Sequence, residues 1–153
     1  TDEPFWDKII AINFKGMLHC TRAVLEHMIE RKYGKIVNIS SDAGRVGSLG
    51  ESVYSGAKGA IIAFSKALAR EMARYSINVN AICPGATETP LTMEMKSKGS
   101  TAEKILAAVA KASLFGRMAK PEEIASAIAF LASDESSFIT GQTLSISGGL
   151  TMI

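Results

Sequence analysis

Three side chains near the middle of the chain have the types and spacing for proton transfer. Ser41 follows the apolar run GKIVNIS, and Tyr54 and Lys58 stand four residues apart at the start of a segment with helical periodicity. Residues four apart share one helix face, so the phenol and the ammonium would be neighbours. An ammonium and the positive end of a helix both stabilise a phenolate and lower its pKa from about 10. Tyr54 could then exchange a proton with an alcohol or carbonyl whose oxygen Ser41 holds.

Each of these features has a plainer interpretation. A Tyr-x-x-x-Lys pair is often only a helix surface, and a serine after a strand is ordinary turn chemistry. Glycines at 44, 47 and 50 also raise the possibility of a phosphate-binding loop. A dinucleotide turn, however, needs Gly-x-Gly-x-x-Gly and an acidic residue about 20 positions on, at the end of the next strand. Here the spacing is Gly-x-x-Gly-x-x-Gly and Glu71 falls inside a predicted helix, which favours a loop whose glycines shape the approach of a substrate.

The elements that must position these side chains alternate between helix and strand. Helical periodicity predicts helices over 4–32 and 54–75 and a third that opens at Pro121, while strands are predicted at 35–40, 77–85 and 143–147. Asp2 or Glu3 would cap the first helix, and 86–120 has weaker helical signals. This alternation is typical of an α/β protein with a parallel sheet covered by helices. Open parallel sheets bind ligands at the carboxyl ends of their strands, where Ser41 falls.

Composition narrows the classes of function. The 153 residues are 47% hydrophobic, enough for the core of one domain, and the net charge of +2 is scattered, which argues against nucleic-acid binding. No apolar run approaches the roughly 20 residues of a membrane span, and we predict no membrane partner and a cytoplasmic location. Cys20 and Cys83 are predicted to be buried thiols in a reducing compartment. His19 and His27 lie eight apart on the first helix and receive no role, and no metal site is predicted.

With their flanking segments, Ser41, Tyr54 and Lys58 resemble the short-chain dehydrogenase/reductase family over essentially the whole chain. In that family a serine lies 13 residues before Tyr-x-x-x-Lys, as here, and INFKG resembles the helix segment with the fourth catalytic residue, which would be Asn13. The resemblance implies a doubly wound Rossmann-type sheet, of which 1–153 would be the later part with the fifth to seventh strands. The family's Gly-rich turn and Asn-Asn-Ala-Gly strand do not occur in these residues, so the dinucleotide-binding half is expected to be absent from them.

The resemblance also implies a cofactor and a reaction. NAICPGATETP is similar to the family's Asn-x-x-x-Pro-Gly-x-x-x-Thr segment and GQTLSISGG to its closing strand, so Pro84, Gly85, Thr87 and Thr89 would border the nicotinamide of NAD or NADP. Tyr54 would act as acid and base in hydride transfer between a secondary alcohol and a ketone. Lys58 would hold the ribose and lower the tyrosine pKa, and the main-chain carbonyl of Asn13 would hold a water linked to Lys58. Assembly as a homodimer or homotetramer is implied in the same way.

The substrate class follows from finer similarity. SSDAGRVGSLGE, FITGQ and SISGGLTM most resemble segments of dehydrogenases of 2-hydroxycyclohexanecarboxyl-CoA and related hydroxyacyl-CoA thioesters, with 3-oxoacyl-thioester reductases as near relatives. Apolar and basic side chains between 86 and 120 would suit an acyl group and an anionic CoA: Leu91, Met93, Met95, Lys96, Lys98 and Lys104. Two alternatives stay open, a non-catalytic subunit retained for assembly and an incomplete product without activity of its own.

Overall fold

A computed structural model describes residues 1–97 and 101–153. Side chains are described for all of these residues except 95–97, 101 and 102. Lys98 therefore lies outside the described residues, and the side chains of Met95 and Lys96 outside the described side chains. The helices are α1 (Glu3–Ile10), α2 (Gly16–Arg31), α3 (Ala43–Val46), α4 (Ser52–Met72), α5 (Pro90–Ser97), α6 (Thr101–Ala112) and α7 (Pro121–Ala132). The strands are β1 (Gly34–Ile39), β2 (Ile77–Pro84) and β3 (Thr143–Ile146).

The three strands form one parallel sheet in the order β1-β2-β3. Gly34 pairs with Ile77 at the start of β1, and Pro84 pairs with Ile146 at the end of β2. Because all three strands run the same way, their carboxyl ends share one edge of the sheet. The predicted parallel α/β architecture is confirmed.

Two apolar clusters lie on opposite faces of this sheet. On β1, Ile36 belongs to the cluster with α4 and α2, whereas its neighbour Val37 packs with α7, as the alternation of side chains along a strand requires. The first cluster contains Ile36, Leu68, Ala69, Met72, Ile77 and Val79, with Leu25 and Met28 packed against it. The second contains Ile82, Ile124 and Leu131. Helices therefore cover both faces, which confirms the doubly wound arrangement.

The first helix differs from its prediction. A single helix over 4–32 was expected, but a π-helical turn at Ala11–Lys15 separates α1 from α2. Asp2 is the N-cap, and its carboxylate accepts from the Phe5 N–H at 3.2 Å. The helix ends before Lys32, which adopts the left-handed conformation with φ 51°. Within the described part of the chain, no helix is long and apolar enough to cross a membrane.

The two cysteines separate in the structure. Cys83 lies on β2 with none of its surface exposed, as predicted. The prediction that Cys20 is buried is wrong, because Cys20 is exposed on α2. The helix turns Thr21, Leu25 and Met28 toward the sheet at spacings of four and three, and Cys20 lies one residue outside this stripe.

Candidate active site

The turn after β1 fixes the position of Ser41. The Ser40 N–H donates to the Ile82 carbonyl at 2.8 Å, so the chain stays aligned with β2 one residue beyond the strand. The Ser41 hydroxyl accepts from the Ala43 N–H at 3.2 Å, and the Ser41 carbonyl accepts from the Gly44 N–H at 2.9 Å. These bonds leave the hydroxyl proton of Ser41 available for donation, at the carboxyl edge of the sheet.

Helix α4 places Tyr54 and Lys58 on one face. The Lys58 ammonium lies 5.6 Å from the centroid of the Tyr54 ring and donates to the Ile39 carbonyl at 3.1 Å. The Ser40 hydroxyl donates to the Lys58 carbonyl at 2.8 Å, which fastens the first turns of α4 to the end of β1. The Ser41 hydroxyl lies within hydrogen-bonding reach of the Tyr54 phenol, so Ser41, Tyr54 and Lys58 lie together at one site.

The loop glycines serve packing and turns. A Cβ atom on Gly44 would lie 2.7 Å from the carbonyl carbon of Lys58 and 2.8 Å from the nitrogen of Gly59, closer than atoms can approach. The α3 turn can therefore contact the backbone of α4 only because residue 44 has no side chain. Gly47 and Gly50 have φ values of 80° and 79°, the left-handed region in which glycine is favoured.

Burial controls the protonation of the site. It raises the pKa of Tyr54 above 10.0, the nearby Ser41 hydroxyl opposes this, and the negative charge of Glu51 adds to it. Burial also lowers the pKa of Lys58. Loss of solvation of the phenolate is the largest cause of the raised Tyr54 pKa, and the Lys58 ammonium donates to the Ile39 carbonyl instead of to the phenol. Tyr54 is therefore protonated at neutral pH, the form that gives a proton away.

Asn13 lies in the π-helical turn. Its side-chain amide donates to the Ile9 carbonyl at 3.0 Å, so the side chain turns back on its own helix. The neighbouring Phe14 packs edge to face on Phe64 of α4, with ring centroids 6.3 Å apart. The turn is thereby held against the helix that carries Lys58. Single π-helical turns are frequent at functional sites.

The segment after β2 is fastened to β3. The Gly85 N–H donates to the Ile146 carbonyl at 3.0 Å, directly after Pro84 ends the strand. A Cβ atom on Gly85 would lie 2.9 Å from the Cα atom of Ser147. Only glycine permits this approach, so Pro84 and Gly85 are held at the same edge as Ser41.

Thr87 and Thr89 begin the segment that leads to α5. Thr87 forms a parallel β-bridge with Ala119. The Ala119 N–H donates to the Ala86 carbonyl and the Glu88 N–H donates to the Ala119 carbonyl, both at 2.9 Å. The N–H of Thr87 itself therefore points away from Ala119. The Thr87 hydroxyl donates to the Gly85 carbonyl at 3.1 Å. The hydroxyls of Thr89 and Thr92 lie 3.1 Å apart at the start of α5. Both predicted threonines lie just beyond the carboxyl edge of the sheet.

A further residue of the site was missed by sequence reasoning. Asp42 follows Ser41 and is only 4% exposed. Its carboxylate accepts from the Ser145 hydroxyl at 2.8 and 2.9 Å and lies 3.7 Å from the Arg45 guanidinium. The acid stands inside the SSDAG segment, but its partner Ser145 is 103 residues away, so the spacing gives no signal.

The histidines are exposed on α2, where His27 lies 3.4 Å from Arg31. Among residues 1–97 and 101–153, no three His, Cys, Asp or Glu side chains gather as metal ligands would.

Known proteins match the chain along nearly all of its length. A family model described as enoyl-(acyl carrier protein) reductase matches residues 1–151. The chain is 42% identical over 150 residues to 3-oxoacyl-(acyl-carrier-protein) reductase FabG of Thermotoga maritima, which covers 98% of this chain and 58% of that protein. It is 39% identical over 151 residues to nodulation protein G of Rhizobium meliloti, covering 99% and 59%.

An acetoacetyl-CoA reductase of Acinetobacter is 42% identical over 147 residues, which cover 96% of this chain and 57% of that protein. The chain thus spans under two thirds of the length of these relatives. The similarity to 3-oxoacyl-thioester reductases noted in the sequence is confirmed. The family model, these relatives and the parallel sheet together show that the chain belongs to the short-chain dehydrogenase/reductase family.

Proposed function

We propose that residues 1–153 form the catalytic part of an NAD(P)-dependent oxidoreductase. The enzyme would interconvert a secondary alcohol and a ketone within the acyl group of a thioester. The observation that carries this proposal is the meeting of a serine hydroxyl, a protonated phenol and an ammonium at the carboxyl edge of a parallel sheet. The names of the relatives, reductases of 3-oxoacyl-(acyl-carrier-protein) and of acetoacetyl-CoA, support the substrate class.

The groups at this edge fit a nicotinamide nucleotide. Lys58 carries three N–H bonds and uses one of them on Ile39, which leaves donors for ribose hydroxyls. The Thr87 N–H points away from its bridge partner, and the Thr89 hydroxyl lies at the start of α5 beside it. Pro84 and Gly85 set the backbone from which both threonines extend. A bound nicotinamide supplies the hydride in reduction and accepts it in oxidation.

The side chains of this chain manage the proton. In reduction, the Ser41 hydroxyl donates a hydrogen bond to the carbonyl oxygen, and the Tyr54 hydroxyl transfers its proton to that oxygen as it becomes an alcohol. In oxidation the proton returns from the alcohol to the Tyr54 phenolate. The Lys58 ammonium stabilises this phenolate, and the main-chain carbonyl of Asn13 would hold a water that connects Lys58 to solvent.

The segment after Thr89 supports a thioester with an apolar acyl group. Leu91 and Met93 on α5 are 67% and 51% exposed, which is apolar surface beside the proposed cofactor groups. Lys104 is exposed on α6, where an ammonium could meet the phosphates of CoA. Leu91, Met93 and Lys104 thus suit a substrate with an apolar end and an anionic end.

We further propose that residues 1–153 are the later part of one Rossmann-type domain, that the complete protein is a cytoplasmic homodimer or homotetramer, and that it acts without nucleic acid or membrane. The share of the relatives' length that the chain spans, 58% for the Thermotoga reductase, supports the first statement. The exposed thiol of Cys20 suits a reducing compartment.

The proposal is tested by steady-state assays of the complete protein with NADPH and with NADH. We expect acetoacetyl-CoA to be reduced with a kcat/KM at least about 100-fold above that of cyclohexanone, because cyclohexanone offers the ketone alone. Equal kcat/KM values for the two ketones would contradict the proposal that the substrate is an acyl thioester. Cofactor binding without turnover of either ketone would favour the non-catalytic subunit.

A further inference from the structure

The buried carboxylate of Asp42 lies at the centre of a polar network on the α4 side of the sheet. The Ser145 hydroxyl donates to it, with its oxygen 2.8 and 2.9 Å from the two carboxylate oxygens, and the Arg45 guanidinium forms an ion pair with it at 3.7 Å. Arg45 is itself almost buried, with 11% of its side chain exposed. A carboxylate removed from water is stable only when charged or hydrogen-bonding partners replace the solvent, so Asp42 is tied to these two groups.

The backbone of Asp42 holds the turn that carries Ser41. The Asp42 carbonyl accepts from the Arg45 N–H at 2.9 Å and from the Val46 N–H at 3.1 Å. The Asp42 N–H also donates to the Pro84 carbonyl at 3.5 Å. The residue therefore holds the loop at three places, through its backbone to α3 and to the end of β2, and through its carboxylate to β3. Ser41 is its neighbour in the chain and has no such bond to β3 of its own in the described structure.

The same network reaches the proposed cofactor segment. The Ser145 hydroxyl lies 2.9 Å from the Ser147 hydroxyl. Ser147 is the residue against which Gly85 packs so closely that a Cβ atom would not fit. The turn that carries Ser41 and the segment that begins at Gly85 are thus fixed to the same two serines of the last strand region.

We propose that Asp42 is a positioning residue, which sets the Ser41 hydroxyl relative to Tyr54 by fastening the Ser41 turn to Ser145. This inference rests on the proposed function. Asp42 touches neither substrate nor cofactor and acts through Ser41 alone. Its effect on the rate should therefore require that Ser41 be present.

A double-mutant cycle on the complete protein tests this dependence. Asp42→Ala should lower kcat by about tenfold or more in the natural background and by less than about twofold in a Ser41→Ala background, because the hydroxyl to be positioned is then gone. Asp42→Asn keeps an oxygen that accepts from Ser145 and should recover part of the rate. Ser65→Ala is the matched control, since it removes the buried Asn38–Ser65 hydrogen bond from the same layer and should leave kcat unchanged.

A second measurement works without turnover. Amide hydrogen exchange at Gly44, Arg45 and Val46 should accelerate at least about tenfold in Asp42→Ala and stay unchanged in Ser65→Ala. Equal losses of kcat in both backgrounds, or unchanged exchange in Asp42→Ala, would overturn the proposal. A wild-type protein that reduces no ketone would contradict the proposed function instead, and the exchange result would still decide whether Asp42 fixes the turn.

Discussion

At the scale of single residues, the proton of the Tyr54 hydroxyl is the group on which the site depends in the proposed reaction. Burial raises the pKa of this phenol, so Tyr54 keeps its proton at neutral pH. That proton could pass to the carbonyl oxygen of a ketone as the ketone is reduced. Oxidation by the proposed mechanism would need the phenolate, which is the form that burial disfavours and a nearby ammonium favours. The two directions of the reaction should therefore respond to pH in opposite ways, with Lys58 setting where they cross.

Lys58→Met should move the pH profile upward. Reduction requires protonated Tyr54, so its rate is present at low pH and is lost as pH rises through the apparent pKa, whereas oxidation appears over the same range. Without the ammonium 5.6 Å from the ring, that pKa should rise, since the phenolate loses a favourable charge. Lys66→Met, an exposed lysine on the same helix, is the control, and identical pH profiles for both variants would remove Lys58 from the mechanism.

The chemistry of these residues could be predicted only in part. The four-residue spacing of Tyr54 and Lys58 is enough to place them on one face of a helix. The direction of the Tyr54 pKa shift depends on how deeply the start of α4 is buried in the folded chain. The local sequence does not show this burial. The role of Asp42 was equally hidden, because it depends on Ser145 in a distant strand.

At the scale of elements, the orientation of α4 decides where the reacting groups point. Its buried residues recur at spacings of three and four along one face: Ala57, Ile61, Ser65, Leu68 and Met72. Burial of this stripe against the sheet fixes the rotation of the helix, and Tyr54 and Lys58 continue the same side toward its first turn. The contact with Gly44 then sets its height above β1.

Gly44→Ala should disrupt this contact. The added methyl group would meet the backbone of Lys58 and Gly59, which cannot move aside as a flexible side chain would. We expect the free energy of unfolding to fall by about 1–3 kcal/mol, the usual cost of overpacking, and turnover to fall with it. Gly56→Ala, in α4 with open space around the new methyl group, should instead raise the free energy of unfolding by about 0.5–1 kcal/mol. Chemical denaturation measures both, and equal effects would contradict the packing role of Gly44.

Glu123 at the start of α7 gives a prediction about acid stability. Its carboxylate accepts from the Arg117 guanidinium at 2.7 and 2.6 Å and from the Lys120 N–H at 2.7 Å, which lowers the pKa of Glu123 from 4.5 to about 2. A lowered pKa contributes stability above pH 4.5 that is lost as pH falls toward 2. Glu123→Gln should thus lower the Tm by roughly 2–4 °C at pH 7 and by progressively less below pH 4.5. A difference that does not shrink in acid would contradict the ion pair.

The elements themselves were more predictable than their irregularities. Strong apolar periodicity located α4 and α7, and β-branched runs located β1 and β2, to within a few residues. The π-helical turn at Ala11–Lys15 could not be predicted, because the apolar positions around it fit a continuous helix equally well. It is the packing of Phe14 on Phe64 that holds this turn against α4.

At the scale of the whole molecule, α1 and the turn after it expose much apolar surface. Phe5, Trp6 and Ile12 are 45%, 42% and 64% exposed, and Val24 on α2 is 42% exposed. A second copy related by a two-fold axis would bury such a surface against itself, and a further interface at the last strand region would complete a tetramer. The sequence predicts the assembly through the family resemblance, and one chain shows a surface and not its partner.

We expect the complete protein to be a homotetramer by light scattering at micromolar concentration. Ile12→Glu should shift it toward smaller species, because a carboxylate would be buried in the proposed contact. A monodisperse monomer in the unaltered protein would contradict the assembly.

Proton transfer by Tyr54 is tested by comparing Tyr54→Phe with Tyr33→Phe in the complete protein. Tyr33 is an exposed tyrosine just before β1, at the opposite end of that strand from Ser41, where its hydroxyl donates to Asp134 at 2.9 Å. Both variants lose one hydroxyl and keep the ring. We predict that Tyr54→Phe lowers kcat for the reduction of acetoacetyl-CoA by a factor of about 100 or more, while Tyr33→Phe stays within about twofold of the unaltered protein. A Tyr54→Phe variant that keeps the rate of the Tyr33→Phe variant would show that Tyr54 does not transfer the proton.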